Sequence, residues 1–314
     1  MTLDPQVRKI LLWTSRANSP EYHEIGAVAA RAHYEKIAGA LDVMSPPLHE
    51  VLDFEIPLAG RSLRVRQYAP WPHVWSEPRP ALVYFHGGGF TIGSIETHDR
   101  VCRVLALGGD CLVFSVDYRL APEHKFPAAV DDAFGALGWL RDEAAVLGID
   151  PGRIAVGGDS AGGTLAAACA IHARDRDWPL VLQLLIYPGV SHDQRTDSHE
   201  RYADGYLLDA TTIQWFFGQY LRTSEDRFDW RFAPLLAPEL AGVAPAWIAA
   251  AEYDPLHDED LAYAQRLRDS QVPVELVEYP GMIHSFFQHA GFVPAVRRAH
   301  ADAGAALRRA FAAD

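Results

Sequence analysis

The segment Gly158-Asp159-Ser160-Ala161-Gly162 stands between a short apolar run, residues 154–156, and a long alanine-rich run. This order predicts a strand that turns sharply into a helix and holds the central serine at the tip of the turn. The two glycines leave room for the strained backbone and for close packing of the strand against the helix. We therefore expect the Ser160 hydroxyl at the carboxyl end of a parallel sheet, with a helix N-terminus beneath it.

Apolar runs of strand length recur on both sides of this turn. They cover residues 51–56, 63–68, 81–85, 111–116, 153–156, 182–187, 246–250 and 274–279. Helical segments separate most of them, with residues 127–147 the clearest, and such repeated units indicate a parallel sheet covered on both faces. The first two strands are expected to add an antiparallel edge. The sequence therefore predicts an α/β fold with a mostly parallel central sheet flanked by helices.

Two segments lie outside this pattern. Residues 1–45 carry apolar side chains at helical spacing, and residues from about 190 to 235 form an aromatic-rich insertion. We predict that both segments contribute to a helical cap over the serine, above a main domain of residues 46–314. The candidate substrate-binding residues of the insertion are Trp215, Phe216, Phe217 and Tyr206. The alternative is an ordinary surface helix whose aromatic side chains pack on the main domain.

The composition limits the partners and the compartment. The chain of 314 residues has 28 basic and 41 acidic side chains, and the net charge of −13 argues against nucleic acid or an anionic membrane surface as a partner. No stretch approaches the roughly 20 apolar residues that span a bilayer, and the first residues lack the features of a secretory signal. We expect a cytoplasmic protein that acts on a small molecule. A homodimer remains a possible state.

A glycine-rich segment, His86-Gly87-Gly88-Gly89-Phe90, directly follows the strand at residues 81–85. Glycines at a strand end let backbone N–H groups point into a cavity that no side chain fills. Such donors stabilise the negative charge that develops on oxygen during acyl transfer. We expect the amides of Gly88, Gly89 and Ala161 to form an oxyanion hole. A phosphate-binding loop is the rival interpretation, but its motifs are missing here, and a plain glycine turn is the other alternative.

A serine nucleophile needs a histidine to accept its proton and a carboxylate to orient that histidine. Asp254 comes directly after the strand at residues 246–250, and His284 follows the last strand. Together with Ser160 they give the chain order serine, acid, histidine that this type of fold requires. Glu252 competes with Asp254 as the acid, and His86 competes with His284 as the base.

Metal and thiol chemistry have weaker support. The chain has three cysteines, an odd number, and none of them forms a C-x-x-C pair: Cys102, Cys111 and Cys169. We therefore expect inert thiols. Side chains able to bind a metal occur at His192, Asp193, His199, Asp254, His257 and Asp258. Their spacing matches no metal-binding pattern such as H-E-x-x-H, so we predict neither a metal nor another cofactor.

Five motifs together resemble those of the hormone-sensitive-lipase-like esterases, the bacterial family IV carboxylesterases with the α/β-hydrolase fold. These motifs are His86-Gly-Gly-Gly-Phe90, Asp117-Tyr-Arg-Leu-Ala-Pro-Glu-His124, Gly158-Asp-Ser-Ala-Gly-Gly163, Asp254-Pro-Leu256 and His284-Ser-Phe286. The resemblance covers roughly residues 45–314, and the helical N-terminus is similar to the cap of that family. It implies cofactor-free hydrolysis of short- to medium-chain acyl esters through a covalent acyl-serine. One departure is Thr164, where many relatives have asparagine, and we expect it to affect helix packing.

Two other functions stay open from the sequence. The same catalytic residues serve amide hydrolysis, so a deacetylase or amidase that acts on a specific acyl compound is the first alternative. Some proteins of similar fold bind a small molecule without catalysis. A receptor of this kind is the second alternative, and the presence of His284 in a complete set of serine, acid and histidine argues against it.

Overall fold

The computed structural model describes residues 2–17, 19–38, 45–72 and 77–313. One eight-stranded sheet has the order β1-β2-β4-β3-β5-β6-β7-β8. Its strands are β1 (Glu50–Leu58), β2 (Arg61–Ala69), β3 (Arg79–Phe85), β4 (Leu112–Val116), β5 (Ile149–Asp159), β6 (Leu182–Ile186), β7 (Ala246–Tyr253) and β8 (Val274–Ile283). Strand β2 pairs antiparallel with β1 and β4, and the remaining neighbours are parallel. The predicted α/β fold with an antiparallel edge is therefore confirmed.

Helices cover both faces of the sheet because its central strands are apolar on both sides. The helices are α1 (Pro5–Arg16), α2 (Tyr22–Ala38), α3 (Asp99–Gly109), α4 (Ala128–Asp142), α5 (Ala144–Leu147), α6 (Ala161–Arg174), α7 (Asp197–Arg201), α8 (Ala210–Tyr220), α9 (His257–Asp269) and α10 (Val296–Phe311). Side chains of α4, α6 and α9 share one buried cluster with the sheet. Helices α1, α3 and α10 contribute to the cluster on the opposite face.

The N-terminal segment forms two helices that differ in their contacts. Helix α1 begins after Asp4, whose side chain accepts hydrogen bonds from the first-turn N–H groups of Gln6 and Val7. Helix α2 is interrupted at Gly26, which has a non-helical φ of 76°. The predicted end of this segment, near residue 45, falls partly on residues 39–44, which lie outside the described part of the chain.

The insertion after β6 contains α7, α8 and two short 3-10 turns, Ser224–Phe228 and Pro234–Leu236. Helix α8 packs against α2 through a small apolar cluster of Ala30, Ile92 and Phe216. Since Ile92 lies just beyond the glycine-rich segment that follows β3, the two helices meet above the carboxyl end of the sheet.

The turn from β5 into α6 depends on close backbone packing at Gly162. A Cβ atom at this position would collide with the carbonyl oxygen of Phe85, the last residue of β3. Glycine is therefore required here for steric reasons, because no flexible side chain can move aside.

We predict that Gly162→Ala lowers the free energy of unfolding by about 3 kcal/mol or more, since the backbone must shift to relieve the collision. Urea unfolding followed by circular dichroism measures the change. Gly218→Ala in α8 is the matched control, because an added Cβ there meets no atom within 4 Å. That control is expected to be neutral or stabilising by up to about 1 kcal/mol. Equal stability of the two variants would contradict the steric argument.

Candidate active site

Ser160 occupies the tip of the turn between β5 and α6. Its backbone has φ 53° and ψ −121°, a conformation that non-glycine residues rarely adopt. The turn is held by the Ser160 N–H, which donates to the carbonyl oxygen of Ile186 over 2.9 Å. The side chain of Thr164 also donates to the carbonyl oxygen of Gly189, so this residue ties α6 to the segment after β6. The strained turn leaves the serine partly exposed at the sheet edge.

His284 and Asp254 lie in line with the serine hydroxyl. The Nε2 atom of His284 is 3.0 Å from Ser160 Oγ, and its Nδ1 atom is 2.7 Å from Asp254 Oδ2. Asp254 is fully buried, and its other oxygen accepts the N–H of Leu256 over 2.9 Å. The Tyr187 ring lies 4.8 Å from the imidazole and limits its movement. This arrangement fits proton transfer from the serine to the histidine, with the carboxylate fixing the ring.

The two competing residues have other partners. Glu252 accepts the N–H of Gly281 over 2.8 Å, in the segment that leads to His284. His86 stacks on Tyr118 at 4.3 Å, and its Nδ1 atom lies 2.8 Å from the carbonyl oxygen of Gly87. Burial, with a smaller effect from nearby His98, lowers the pKa of His86 to about 3. Neither residue is hydrogen-bonded to Ser160 or His284 within the described chain.

The glycine-rich segment forms a tight turn beside the serine. Gly88 and Gly89 have φ values of 118° and 56°, and the N–H groups of Thr91 and Ile92 both donate to the Gly88 carbonyl oxygen. The amides of Gly88, Gly89 and Ala161 donate no hydrogen bond to another described group. Because Gly87 is hydrogen-bonded to Asp159, the residue before Ser160, the turn is held beside the serine. These three amides fit the donor set of an oxyanion hole.

The four aromatic candidates have different surroundings. Phe216 packs directly against the Gly89 backbone, and the Trp215 ring lies 5.2 Å from the Phe216 ring. Phe217 lies on another face of α8, with its ring 5.0 Å from Phe232 in the main core. Tyr206 is part of an aromatic group with Tyr202 and Tyr253, stacked 5.6 Å from the latter. Of the four, Phe216 contacts the glycine-rich turn directly, and Trp215 lies beside Phe216.

Comparison with known proteins gives extensive matches. Residues 82–288 match the α/β-hydrolase fold family. The chain is 42% identical over 295 residues to the carboxylic ester hydrolase LipN of Mycobacterium tuberculosis, covering 91% of this chain and 77% of LipN. It is 38% identical over 300 residues to the ethyl acetate hydrolase of Pseudomonas putida, covering 93% of this chain and 94% of that protein.

A solved structure leads to the same family. The hyperthermophilic esterase from the archaeon Pyrobaculum calidifontis has a TM-score of 0.93 and 40% sequence identity, covering 98% of this chain and 99% of that chain. The chain belongs to the α/β-hydrolase family. It is a carboxylic ester hydrolase, and the resemblance to bacterial carboxylesterases drawn from its motifs is confirmed.

The next residues to place are the three thiols and the side chains considered as metal ligands. Cys102, Cys111 and Cys169 are buried and unpaired, and burial raises the pKa of each thiol far above its ordinary value. Across residues 2–17, 19–38, 45–72 and 77–313, no group of three or more His, Cys, Asp or Glu side chains is arranged to hold a metal. Over the same residues, every helix is too short or too polar to cross a bilayer.

Sequence reasoning gave no role to Asp159, His98 or Tyr187. Asp159 and His98 lie 61 positions apart, and their side chains meet under the glycine-rich turn at 3.2 Å. Tyr187 follows β6 and contacts the imidazole of His284. The sequence signals were weak: Asp159 lies inside the serine motif at a position that its G-x-S-x-G pattern leaves open, and His98 and Tyr187 lie outside every motif.

Two further carboxyl groups lie buried near Asp254 in this α/β hydrolase. Glu259 accepts the N–H groups of Val190 and Ser191 over 2.6 and 3.2 Å. Asp260 is completely buried, and neither of its oxygens has a hydrogen-bond partner in the described chain. Burial raises the pKa of Asp260 well above its ordinary value, and the carboxylates of Asp254 and Glu259 raise it further. Asp260 therefore keeps its proton where an exposed aspartate has lost it.

We predict that Asp260→Asn reduces the loss of stability at rising pH. The folded-state pKa of Asp260 lies above the unfolded value near 3.8, so the wild type loses unfolding free energy as the pH rises between these two values. The part of this loss that Asp260 causes is about 1.4 kcal/mol per pH unit, and asparagine removes that part. The neighbouring Glu259, whose pKa burial also raises, keeps its own part in the variant. Urea unfolding at a series of pH values measures the difference.

The matched control for this prediction is Asp269→Asn, which neutralises an exposed carboxylate at the end of the same helix. This control is expected to retain the pH dependence of the wild type. If Asp260→Asn also retained it, the buried carboxyl would not be the cause.

Proposed function

We propose that this ester hydrolase is a serine carboxylesterase of the hormone-sensitive-lipase-like type, acting on short- to medium-chain acyl esters without a cofactor. The observation that carries the proposal is the continuous contact of Ser160 Oγ with His284 Nε2 at 3.0 Å and of His284 Nδ1 with Asp254 at 2.7 Å. In this proposal Ser160 is the nucleophile, His284 is the general base, and Asp254 orients the imidazole.

In the acylation half, His284 accepts the hydroxyl proton of Ser160 while Oγ attacks the ester carbonyl carbon. The carbonyl oxygen becomes negatively charged and accepts hydrogen bonds from the amides of Gly88, Gly89 and Ala161. Each such donor contributes about 3–4 kcal/mol of transition-state stabilisation. The protonated His284, stabilised by Asp254, then donates the proton to the leaving alcohol, which leaves an acyl-serine.

In the deacylation half, water takes the place of the alcohol. His284 accepts a proton from the water molecule, and the resulting hydroxide attacks the carbonyl carbon of the acyl-serine. The carbonyl oxygen becomes negatively charged again and accepts hydrogen bonds from the same three amides. The oxyanion collapses, Ser160 regains its proton from His284, and the carboxylic acid leaves. The same three side chains and three amides therefore serve both halves.

We propose that α2 and α8 form a cap that restricts the acyl group to short and medium lengths. The packing of Phe216 on Gly89 and the buried cluster of Phe216 with Ala30 support this, because they place both helices against the turn. The Pseudomonas putida relative is named an ethyl acetate hydrolase, which also favours a short acyl group. A covered site of this kind admits single dissolved ester molecules.

We propose that the protein is cytoplasmic and forms a homodimer. Three buried free thiols favour a reducing compartment. Among the strands that the structure describes, β1 and β8 stand at the two edges of the sheet, and strand edges are places where a second copy can pair. Light scattering on the purified protein measures the oligomeric state.

We predict that Ser160→Ala lowers kcat for p-nitrophenyl butyrate by at least about 10⁴-fold, because the nucleophile is lost. Asp254→Asn is expected to reduce kcat by about 10⁴-fold, since the imidazole loses its orienting acceptor. Steady-state kinetics gives the rates, and circular dichroism shows that both variants remain folded. Wild-type turnover in folded Ser160→Ala would remove this serine from the mechanism.

We predict that the protein cleaves p-nitrophenyl acetate and butyrate faster than the palmitate ester, and that it hydrolyses the matched butyryl anilide far more slowly than the butyrate ester.

Phe216→Ala is expected to raise the palmitate-to-butyrate ratio of kcat/KM by about tenfold, because the smaller side chain opens the cap. Phe228→Ala is the matched control, since this insertion aromatic is 61% exposed. An unchanged ratio in Phe216→Ala, or efficient cleavage of long-chain triglyceride emulsions, would contradict the proposed cap.

A further inference from the structure

A chain of buried polar groups beneath the glycine-rich turn has no part in the mechanism above. It runs from Tyr34 on α2 through Gln288, His98 and Asp159 to the backbone N–H of Gly87, and we refer to these five groups as the polar chain. Apart from Tyr34 and Gly87 at its ends, its members are side chains of low exposure: His98 0%, Asp159 4% and Gln288 6%. Buried polar side chains are costly unless they are hydrogen-bonded, so such a path needs an explanation.

One end of the polar chain holds the predicted oxyanion donors. Asp159 Oδ1 accepts the N–H of Gly87 over 3.0 Å and the Tyr84 hydroxyl over 2.6 Å. Burial alone would raise the pKa of Asp159, but His98 and the hydrogen bond from Tyr84 lower the pKa below its ordinary value. The carboxylate is therefore ionised and is a strong acceptor. It fixes the residue that directly precedes Gly88.

The middle of the polar chain is held from three directions. His98 Nε2 lies 3.2 Å from Asp159 Oδ2 and 2.6 Å from the side-chain amide of Gln288, while its Nδ1 atom lies 2.8 Å from Thr97 Oγ1. Gln288 ends the 3-10 turn that begins two residues after His284. The imidazole of His98 therefore connects the segment after His284 with the residue before Ser160.

The other end of the polar chain is on the N-terminal helix. The Tyr34 hydroxyl donates to Gln288 Oε1 over 2.9 Å. The same helix contacts the glycine-rich turn at a second point, because Arg31 Nε donates to the carbonyl oxygen of Thr91 over 2.8 Å. Helix α2 is thus hydrogen-bonded to the end of the turn at Thr91 and to Gln288 in the segment after His284, and both bonds need the helix to be docked.

We propose that Asp159 and His98 are positioning residues of the oxyanion hole, and that Gln288 and Tyr34 link them to helix α2, so that docking of this helix completes the hole. The inference rests on the proposed function, since it assigns the amides after Gly87 to the oxyanion. Preorganised donors stabilise a transition state only when they are fixed at the place where charge develops. A displacement of about 1 Å can reduce the rate by about 100-fold.

The first experiment removes the charge of Asp159 at constant size. Asp159→Asn is expected to lower kcat for p-nitrophenyl butyrate by about 10- to 100-fold, with KM changed by less than about threefold. The inhibition constant of a trifluoromethyl ketone, which forms an anionic adduct with Ser160, is expected to weaken by the same factor as kcat/KM. A purely structural role of Asp159 would lower the melting temperature without this parallel loss.

The second experiment tests the link to the N-terminal helix. Tyr34→Phe deletes one hydroxyl and is expected to lower kcat by about 3- to 10-fold, with an equal loss of affinity for the trifluoromethyl ketone. Tyr22→Phe is the matched control, because its hydroxyl lies on the same helix and makes no hydrogen bond within the described chain. It is expected to change kcat by less than about twofold. Equal kinetics of Tyr34→Phe and Tyr22→Phe would overturn the link.

The double variant Asp159→Asn/Tyr34→Phe tests whether the two ends act through one path. If they do, the loss in kcat is smaller than the product of the two single losses. A multiplicative loss would show independent sites and overturn the link. Should Asp159→Asn not fold, the comparison of Tyr34→Phe with Tyr22→Phe still decides the inference, since each removes a single oxygen.

The outcome for Ser160→Ala separates this inference from the proposed function. An active Ser160→Ala variant would overturn the proposed function itself. An inactive Ser160→Ala variant together with kcat/KM within about twofold of the wild type in Asp159→Asn would leave the proposed function in place and overturn only the positioning role.

Discussion

The packing of the β5–α6 turn against the end of β3 is the constraint on which the rest of the site depends. Gly162 lies so close to the carbonyl oxygen of Phe85 that no side chain fits between them. This contact places the glycine-rich turn after β3 beside the strained backbone of Ser160. The hydrogen bond from Gly87 to Asp159 then fixes the turn in that position. Ser160 and the glycine-rich turn are adjacent because the two neighbouring parallel strands β3 and β5 end at the same level.

Ser160, Asp254 and His284 are also brought together by parallel strands that end at one edge of the sheet, here over a larger part of the sheet. Strands β5, β7 and β8 are parallel and lie in one continuous half of the sheet, with β6 between the first two. Each ends at the same edge, and the segment after each carries one of Ser160, Asp254 and His284. The rigid sheet sets the distance between these segments, so the short contacts need no flexible loop to close. Sites at the carboxyl ends of parallel strands are common for this reason.

The N-terminal helix α2 is more than a cover for the sheet edge. It packs on α8 through Ala30 and Phe216, and it reaches the glycine-rich turn through Arg31 and the polar chain. The polar chain therefore joins helix α2 to the glycine-rich turn at Gly87. Its groups are buried and in polar contact, and because the single nitrogen His98 Nε2 faces both Asp159 and Gln288, a change at either neighbour affects the other.

The sequence by itself determined the strands, the turn at Ser160, the order serine–acid–histidine and the glycine-rich turn, because each depends on local patterns of apolar residues and glycine. It left Glu252 and His86 as competitors, since strand-end position alone does not say which group faces the serine. The tertiary structure decided that Glu252 binds the backbone at Gly281 and that Phe217 faces the core. It also brought Tyr34 and Gln288 together over 254 positions. Such contacts are set by how helices and strand-end segments pack in space, and no local pattern records them.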